Sequence, residues 1–268
     1  MSIAERQSAW RIPSKAGLYV YGISAVALGV VGLVWSDFAT NWQRVAADVP
    51  HRLALARITA IYEIAAGFAV LYRRRARAGM LLLSALYLVF AVLWAVHVAA
   101  VPTVYDNWGN LFEELSLVTA GLAAFAWLAP EGSAWRARAL GIIRLYGICV
   151  ISFGLDHLFY LSGAASFVPR WIPPGQRFWI LATAVCFLLA AAAILSGFLA
   201  VVATRLLAVM IMGFEILVWL PRLFSAPHDH FNWAGNAMAL ALASAAWVIA
   251  DVTSEMRKRT KPVKAQTV

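Results

Sequence analysis

Long apolar segments follow one another along almost the whole chain. Eight runs of about 20 residues contain few charges, at about 16–36, 53–73, 78–101, 109–129, 139–162, 177–199, 203–224 and 233–251. About 20 apolar residues in a helix are enough to cross the hydrocarbon core of a bilayer. A helix also satisfies its own backbone hydrogen bonds in lipid, and the alternation of barrel strands is absent from the sequence. The sequence therefore predicts an all-α polytopic membrane protein with eight transmembrane helices.

Composition excludes several other classes. Of 268 residues, 63% are hydrophobic and 13% are charged, whereas soluble domains carry about 25% charged residues. The net charge is +9, but the basic residues lie at the ends of the apolar runs and in the C-terminal segment RKRTKPVKAQTV (257–268). That placement is typical of topology signals and contact with anionic lipid, not of nucleic-acid binding. The first run is too long for a cleavable signal peptide, so we expect a retained first helix.

The basic residues also predict an orientation. With the N-terminus in the cytoplasm, sixteen of the 22 lysines and arginines fall on the cytoplasmic side. These are Arg6, Arg11, Lys15, Arg73, Arg74, Arg75, Arg77, Arg136, Arg138, Arg144, Arg205, Arg257, Lys258, Arg259, Lys261 and Lys264. The positive-inside rule thus predicts a multi-pass protein of the cell inner membrane with both termini cytoplasmic.

The chain resembles itself at an offset of 125 residues. Matching pairs are Tyr21 and Tyr146, Gly22 and Gly147, Gly29 and Gly154, Arg52 and Arg177, Trp94 and Trp219, Pro102 and Pro227, Asn107 and Asn232, and Trp108 and Trp233. One register kept over four helices predicts two tandem four-helix units, 1–135 and 136–268, the second with the basic cytoplasmic tail. Because each unit has an even number of spans, the two units should be parallel.

The stretch FVPRWIPPGQRFWI (167–180) connects the fifth and sixth runs. Pro169, Pro173 and Pro174 stop a helix, and Trp171 and Trp179 suit the aromatic belt at the membrane surface. We interpret the stretch as a stiff outer turn with interfacial anchors. Whether it also lines a ligand entrance stays open.

These residues also carry a resemblance. The pattern VPRWIPP followed by an apolar run, together with GLDHLFYL (154–161), WLPRLFSAPHDHFNW (219–233), YEIAAGFAVL (62–71) and DNWGNLFEELSLVTAG (106–121), is similar to the DoxX-like family of four-helix membrane proteins. The resemblance covers most of the chain. It implies the four-helix fold more firmly than a function, and it implies an association with sulfur-compound and quinone redox chemistry.

Ionisable residues inside the apolar runs are the first candidate site residues. A charge at mid-membrane costs about 2.5–3.5 kcal/mol on insertion scales. Glu63 and Glu215 lie near the middle of their runs, and Asp156 and His157 lie in the outer half of theirs. Candidate partners are Arg57 for Glu63 and Arg222 for Glu215. The repeat places Leu188 opposite Glu63 and Phe90 opposite Glu215, so neither unit has the complete polar set and one shared site is expected. The alternative to a functional site is that these residues only form polar contacts that hold the helices together.

Four polar residues open the fourth run. Asn110, Glu113 and Glu114 are three and four residues apart and share a helix face, and Asn107 precedes them. They would cap the helix and complement its dipole in the first turn. Their outer position would also suit a quinone headgroup or another small molecule.

The histidines and cysteines allow further interpretations, as metal or haem ligands or as packing residues. His228, Asp229 and His230 form an HDH sequence that could ligate a divalent cation, and His97 with His157 could hold a haem between the units. A polar loop and ordinary packing are the commoner explanations, and we assign no metal site. Cys149 and Cys186 lie inside apolar runs with no CxxC motif, which favours core packing.

Three functional hypotheses follow. The chain is a membrane component of a quinone-linked redox system with a membrane or periplasmic partner subunit, a small-solute or proton-coupled transporter, or a non-catalytic scaffold. Because no enzyme motif is recognisable, the sequence leaves open whether the protein is an enzyme. The candidate polar cavity consists of Glu63, His97, Asn107, Asn110, Glu113, Glu114, Asp156, His157, Glu215 and Arg222, and quinone is the candidate cofactor.

Overall fold

The computed structural model describes residues 16–260, in which every regular element is helical. The helices are α1 (Ala16–Trp35), α2 (Arg52–Leu71), α3 (Ala76–Ala100), α4 (Tyr105–Trp127), α5 (Ala134–Phe159), α6 (Leu161–Phe167), α7 (Gln176–Ser196), α8 (Ala200–Phe214), α9 (Leu220–Ser225) and α10 (His230–Thr260), and a π-helical turn (Glu215–Trp219) joins α8 to α9. The prediction of an all-α protein is confirmed for this part of the chain.

Seven helical segments among the described residues are long and apolar enough to cross a membrane. They are α1, α2, α3, α5, α7, the continuous segment from α8 to α9, and α10. The eighth predicted run forms α4, whose first half carries several amides and acids. Of its 23 residues, 15 are buried, so protein surrounds these polar groups. The multi-pass character is clear, and an eighth span at α4 stays a prediction.

Two helices form the centre of the bundle. α4 and α10 pack against each other; α4 also contacts α3 and α5, and α10 also contacts α1 and α8. α2 and α7 lie outside, on α1 and α5. Within the apolar stretch of α10, 72% of the residues are buried, against 22% in the segment from α8 to α9. α10 is therefore mostly covered by protein, whereas the α8–α9 segment is mostly open to the surroundings.

Glycines allow the closest helix contacts. A Cβ atom added at Gly29 would lie 2.5 Å from the carbonyl oxygen of Ala60, and one added at Gly154 would lie 2.8 Å from Leu188 Cγ. α1 and α5 therefore approach α2 and α7 as closely as backbones allow. Small residues of this kind let membrane helices associate without large side chains between them.

Consecutive long helices run antiparallel, so the connections fall at two ends. The loop-rich end holds residues 36–51, 101–104, 168–175 and 226–229, and the short-turn end holds residues 72–75, 128–133 and 197–199. Described basic residues cluster at the short-turn end, where Arg205 pairs with Asp251 at 3.0 Å and Arg136 lies 4.6 Å from the ring centre of Trp127.

The last helix is longer than the predicted run. The last predicted span ended near residue 251 and the basic tail began at Arg257, but α10 continues to Thr260. The Arg257 side chain reaches back to the carbonyl oxygen of Gly197 at the short-turn end. The predicted cytoplasmic residues Arg6, Arg11, Lys15, Lys261 and Lys264 lie outside the described residues.

Candidate functional site

A cavity of about 360 Å³ lies at the loop-rich end, where α4, α5 and the π-helical turn meet. Four of the predicted site residues line it: Asn110, Glu113, Asp156 and His157. They come from α4 and α5, so this cavity lies between the helices of the two predicted units. Asp106 and Tyr160 add a carboxyl and a phenol to the same wall.

Trp42, from the loop between α1 and α2, is the central residue of the cavity wall. Its Nε1–H donates to Glu113 Oε2 at 2.7 Å, and its own carbonyl oxygen accepts a 3.0 Å hydrogen bond from Trp94 Nε1. The residue is only 8% exposed. Trp42 thus fixes the loop against α3 and orients the Glu113 carboxylate at the edge of the cavity.

Aromatic rings surround this tryptophan. The Trp42 ring stacks on Phe231 at 5.6 Å between centroids and meets Trp219 edge-on at 5.8 Å. Trp219 also contacts Phe231 at 5.5 Å and Phe167 at 5.8 Å. Aromatic pairs of this kind each add about 0.5–1.5 kcal/mol beyond their area burial. The result is a stiff aromatic wall built by four separate chain segments.

Asp156 presents a carboxylate oxygen with no partner. Its Oδ1 atom is buried and makes no hydrogen bond to any described residue. A Cβ atom added at Gly109 would lie 2.9 Å from that oxygen, so the glycine gives the carboxyl group its place against α4. A buried polar atom without a partner is costly, and here it lies in the lining of a cavity.

His157 has one ring nitrogen engaged. Its Nδ1 lies 2.9 Å from the carbonyl oxygen of Phe153. A carbonyl can only accept, so Nδ1 carries the hydrogen, and Nε2 of the neutral ring is an acceptor. The ring rests against Phe187 at 5.2 Å and Phe214 at 6.2 Å. These contacts hold the imidazole beside the cavity in one orientation.

A smaller cavity of about 120 Å³ extends the site along the bundle. It shares Glu113, Asp156, His157 and Trp219 with the first cavity and reaches Met238 on α10. The two carboxyls and the imidazole therefore lie between an outer, more open space and an inner, mostly apolar one.

A second group of polar residues is sealed inside α1–α4. Glu63 is 1% exposed and accepts a 2.6 Å hydrogen bond from Gln43 Nε2. Glu114 is also 1% exposed, interacts electrostatically with Glu63, and has an Oε2 atom without a partner among the described residues. We call Gln43, Glu63 and Glu114 the sealed cluster. None of its members lines the cavity.

The expected ion pairs of the mid-membrane acids do not form. Arg57 donates to Ser36 Oγ at 3.2 Å, not to Glu63. Arg222 donates to Asn232 Oδ1 at 3.2 Å, and Glu215 Oε2 has no hydrogen-bond partner among the described residues. Glu215 opens the π-helical turn, which adds a residue to the helical register between Glu215 and Arg222.

Other predicted residues have structural contacts. Asn107 Nδ2 donates to the carbonyl oxygen of Val101 at 3.0 Å, and Asn110 Nδ2 donates to that of Asp106 at 2.8 Å. His97 packs edge-on against Trp94 at 5.6 Å and does not line the cavity. The first-turn interpretation of the two glutamates is wrong, because α4 begins at Tyr105 and only Asp106 is an acid in its first turn.

The described residues show no arrangement that supports the metal or haem hypotheses. Among the described residues, no group of three or more His, Cys, Asp and Glu is placed to hold a metal ion. Asp229 Oδ1 instead accepts from the backbone N–H of Phe231 at 2.8 Å at the start of α10, and His230 stacks on Trp35 at 5.0 Å. His157 lines the cavity, whereas His97 does not. Both cysteines are free thiols, Cys149 buried and Cys186 exposed.

The proline-rich stretch does more than turn the chain. α6 ends at Phe167, and the turn that follows is fixed by a 2.6 Å hydrogen bond from Gln176 Nε2 to the carbonyl oxygen of Val168. Trp171 is 74% exposed, as an interfacial anchor would be. Phe167 and Val168 line the cavity. The stretch is therefore both a turn and part of the cavity wall.

Sequence reasoning missed several site residues. Trp42, Asp106 and Tyr160 lie in or beside loops, and Phe231 lies just beyond the HDH sequence. One sequence signal was available for Trp219, because the 125-residue repeat aligns it with Trp94. Since both tryptophans lie inside apolar runs, the pair could have been predicted to pack inside the protein. Trp42 had no such signal, because its repeat partner is Phe167.

Comparisons with known protein families, with curated proteins and with solved structures each return no match.

Proposed function

We propose that this protein is a multi-pass membrane component of a quinone-linked redox system, and that its cavity holds the ring of a quinol. The observation that carries the proposal is the convergence of Glu113, Asp156 and His157, from two helices, on one cavity with aromatic walls. Its volume of about 360 Å³ falls in the range of roughly 300–1,000 Å³ that is usual for small-molecule sites.

The acidic side of the cavity favours a ligand that donates hydrogen bonds, while the Tyr160 hydroxyl and the Asn41 amide in the same lining add donors. The Glu113 and Asp156 carboxyl groups and His157 Nε2 each offer an acceptor atom. A quinol presents two O–H donors on a flat aromatic ring, whereas an oxidised quinone presents only acceptors. Asp156 Oδ1, buried without a partner, is where such an O–H group would find its acceptor. The residues present therefore fit the reduced form of the cofactor.

Proton transfer is the contribution of this chain to such a system. A bound quinol supplies two electrons and two protons. Glu113, Asp156 and His157 are the groups placed to take up the protons. The electrons would go to a redox centre in a membrane or periplasmic partner subunit, the kind of partner expected from the sequence resemblance.

The proposal includes the DoxX-like architecture of two parallel four-helix units, 1–135 and 136–268. It is supported by matching contacts: Trp108 Nε1 donates to the carbonyl oxygen of Pro102 at 3.1 Å, and Trp233 Nε1 donates to that of Pro227 at 2.8 Å. α3 packs on α4 as α8 packs on α10. On this proposal the short-turn end with its arginines faces the cytoplasm of a cell with an inner membrane, and the cavity faces outward.

A titration with decyl-ubiquinol tests the function. The protein is reconstituted in nanodiscs, and quenching of tryptophan fluorescence follows binding, since Trp42 and Trp219 line the cavity. We expect saturable quenching that weakens about tenfold in Glu113→Gln and Asp156→Asn, about 1.4 kcal/mol. Asp48→Asn changes an exposed acid on the same loop as Trp42 and serves as the control. Equal affinity in all four proteins would contradict the proposal.

A second candidate function is a carrier for organic cations. The ionisable residues described in the cavity lining are three carboxyls, a histidine and a tyrosine, and aromatic walls attract cations. The π-helical turn at Glu215 also changes the helical register within the seventh predicted span. Uptake of a quaternary amine into proteoliposomes, lost in Glu113→Gln, would favour this function over the first.

A further inference from the structure

An apolar groove of about 260 Å³ lies beside the cavity, between α7 and the end of α8. Val168, Ile180, Phe214 and Val218 line both spaces. The shared residues make the groove a direct neighbour of the site that holds the polar groups, with only side chains between them.

The groove has no polar atom that needs a ligand. Its one hydroxyl, on Thr183, donates to the carbonyl oxygen of Trp179 at 2.9 Å and is also 3.0 Å from that of Ile180. The Trp179 indole N–H donates to the carbonyl oxygen of Pro173 at 3.1 Å, the Trp171 indole is largely exposed, and the remaining lining side chains are hydrocarbon. Whereas the cavity offers unpaired acceptors, the groove offers only contact area, which suits a hydrocarbon chain.

The outer side of the groove is open to the surroundings of the bundle. Trp171 is 74% exposed and Leu217 is 41% exposed, and the segment from α8 to α9 is among the least buried candidate spans. In a bilayer these surfaces face lipid. A ligand could therefore pass sideways between lipid and site without crossing water.

We propose that the ligand is an amphiphile with a long apolar tail, that the tail lies in this groove, and that the ligand enters from the lipid between α7 and α8. The inference rests on the proposed function for the position of the polar head. Phe214 marks the boundary between the two parts: its ring packs near His157 at 6.2 Å on the cavity side and also lines the groove.

Gly213 allows the groove to be filled selectively. A Cβ atom added there meets nothing within 4 Å, so Gly213→Phe puts a ring into the groove without a backbone collision. Gly141 on α5 has the same free space but does not line the groove, so Gly141→Phe is the matched control. Two probes complete the design, decyl-ubiquinol and the same quinol ring without the chain.

In nanodiscs we expect the wild-type protein and Gly141→Phe to bind the chain-bearing probe at least about tenfold more tightly than the chainless one. Gly213→Phe should lose this preference and keep its affinity for the chainless quinol. Because every protein is measured in the same lipid, partition of the probe into the bilayer cancels between them. An unchanged chain preference in Gly213→Phe overturns the inference.

The outcomes separate the two proposals. If both probes bind the wild-type protein equally and Glu113→Gln weakens both, the tail inference fails and the cavity function stands. If a chain preference exists that Gly213→Phe removes, but Glu113→Gln changes nothing, the tail groove stands and the quinol function fails. A diazirine placed on the chain gives a second readout: labelling of residues 168–183 and 213–218 is expected, and labelling only elsewhere contradicts the inference.

Discussion

Two neighbouring glutamates enter two different environments in this protein. Glu113 faces the cavity between α4 and α5, with its carboxylate oriented by Trp42. Glu114 belongs to the sealed cluster inside α1–α4, beside Glu63. Successive residues of an α-helix point about 100° apart, so α4 supplies one acid to each region.

The comparison shows how position on a helix decides what a buried acid can do. Gln43 satisfies Glu63 within the protein, so the sealed cluster joins the first loop to α2. In the cavity, Asp156 Oδ1 has no hydrogen-bond partner among the described residues and lies where a ligand can reach it. Glu114 Oε2 also lacks a described partner, but it does not line the cavity. One region should therefore respond to mutation mainly in stability, and the other mainly in binding.

The largest effect should come from Trp42→Ala. The side chain contacts Phe231, Trp219 and Glu113, and replacing a buried tryptophan with alanine costs about 3–5 kcal/mol in the free energy of unfolding. Thermal unfolding in detergent should show a large drop in Tm together with loss of ligand binding. Trp171→Ala, at an exposed indole of the same end, should change Tm little. A similar drop in Tm in both variants would show that Trp42 does not organise the site.

Glu63→Ala should separate the two regions. It leaves Gln43 Nε2 without its partner, and an unsatisfied buried group costs about 1–3 kcal/mol. We expect a lower Tm but an unchanged affinity for decyl-ubiquinol, the reverse of Glu113→Gln. If Glu63→Ala weakens binding as much as Glu113→Gln does, the sealed cluster and the cavity form one functional unit.

Gly109→Ala should have the smallest effect on stability. The new Cβ atom would lie 2.9 Å from Asp156 Oδ1, so the carboxyl group must move away. The gain of alanine over glycine in a helix, roughly 0.5–1 kcal/mol, offsets much of the strain. We expect a several-fold loss of affinity with Tm nearly unchanged, while Gly141→Ala, in open space, leaves affinity as it was. A Tm drop as large as that of Glu63→Ala would mean that Asp156 is structural.

The sequence predicted the helices well, because long apolar runs depend only on local composition. It also selected Glu113, Asp156 and His157, since polar residues in such runs need a reason. The helix starts were less accurate: α4 begins at Tyr105, four residues before the predicted run, because amides and an aspartate in its first turns hide the helix from an apolar pattern.

Other features of the site depend on tertiary contacts that no local pattern contains. Trp42 and Gln43 come from a loop, and only packing brings them to Glu113 and Glu63. The π-helical turn at Glu215 has no compositional signature, yet it changes the register on which the expected pair with Arg222 depended, and Arg222 binds Asn232 instead. Loops and register shifts therefore set the geometry that the sequence could not give.

Native mass spectrometry tests the central claim most directly. The protein is released from gentle detergent, and its mass is compared with that of Glu113→Gln prepared in the same way. We predict that the wild-type protein carries a reproducible extra mass equal to a membrane quinone or quinol, and that Glu113→Gln loses most of it. A wild-type protein that stays bare after purification from quinone-supplemented membranes would contradict the claim.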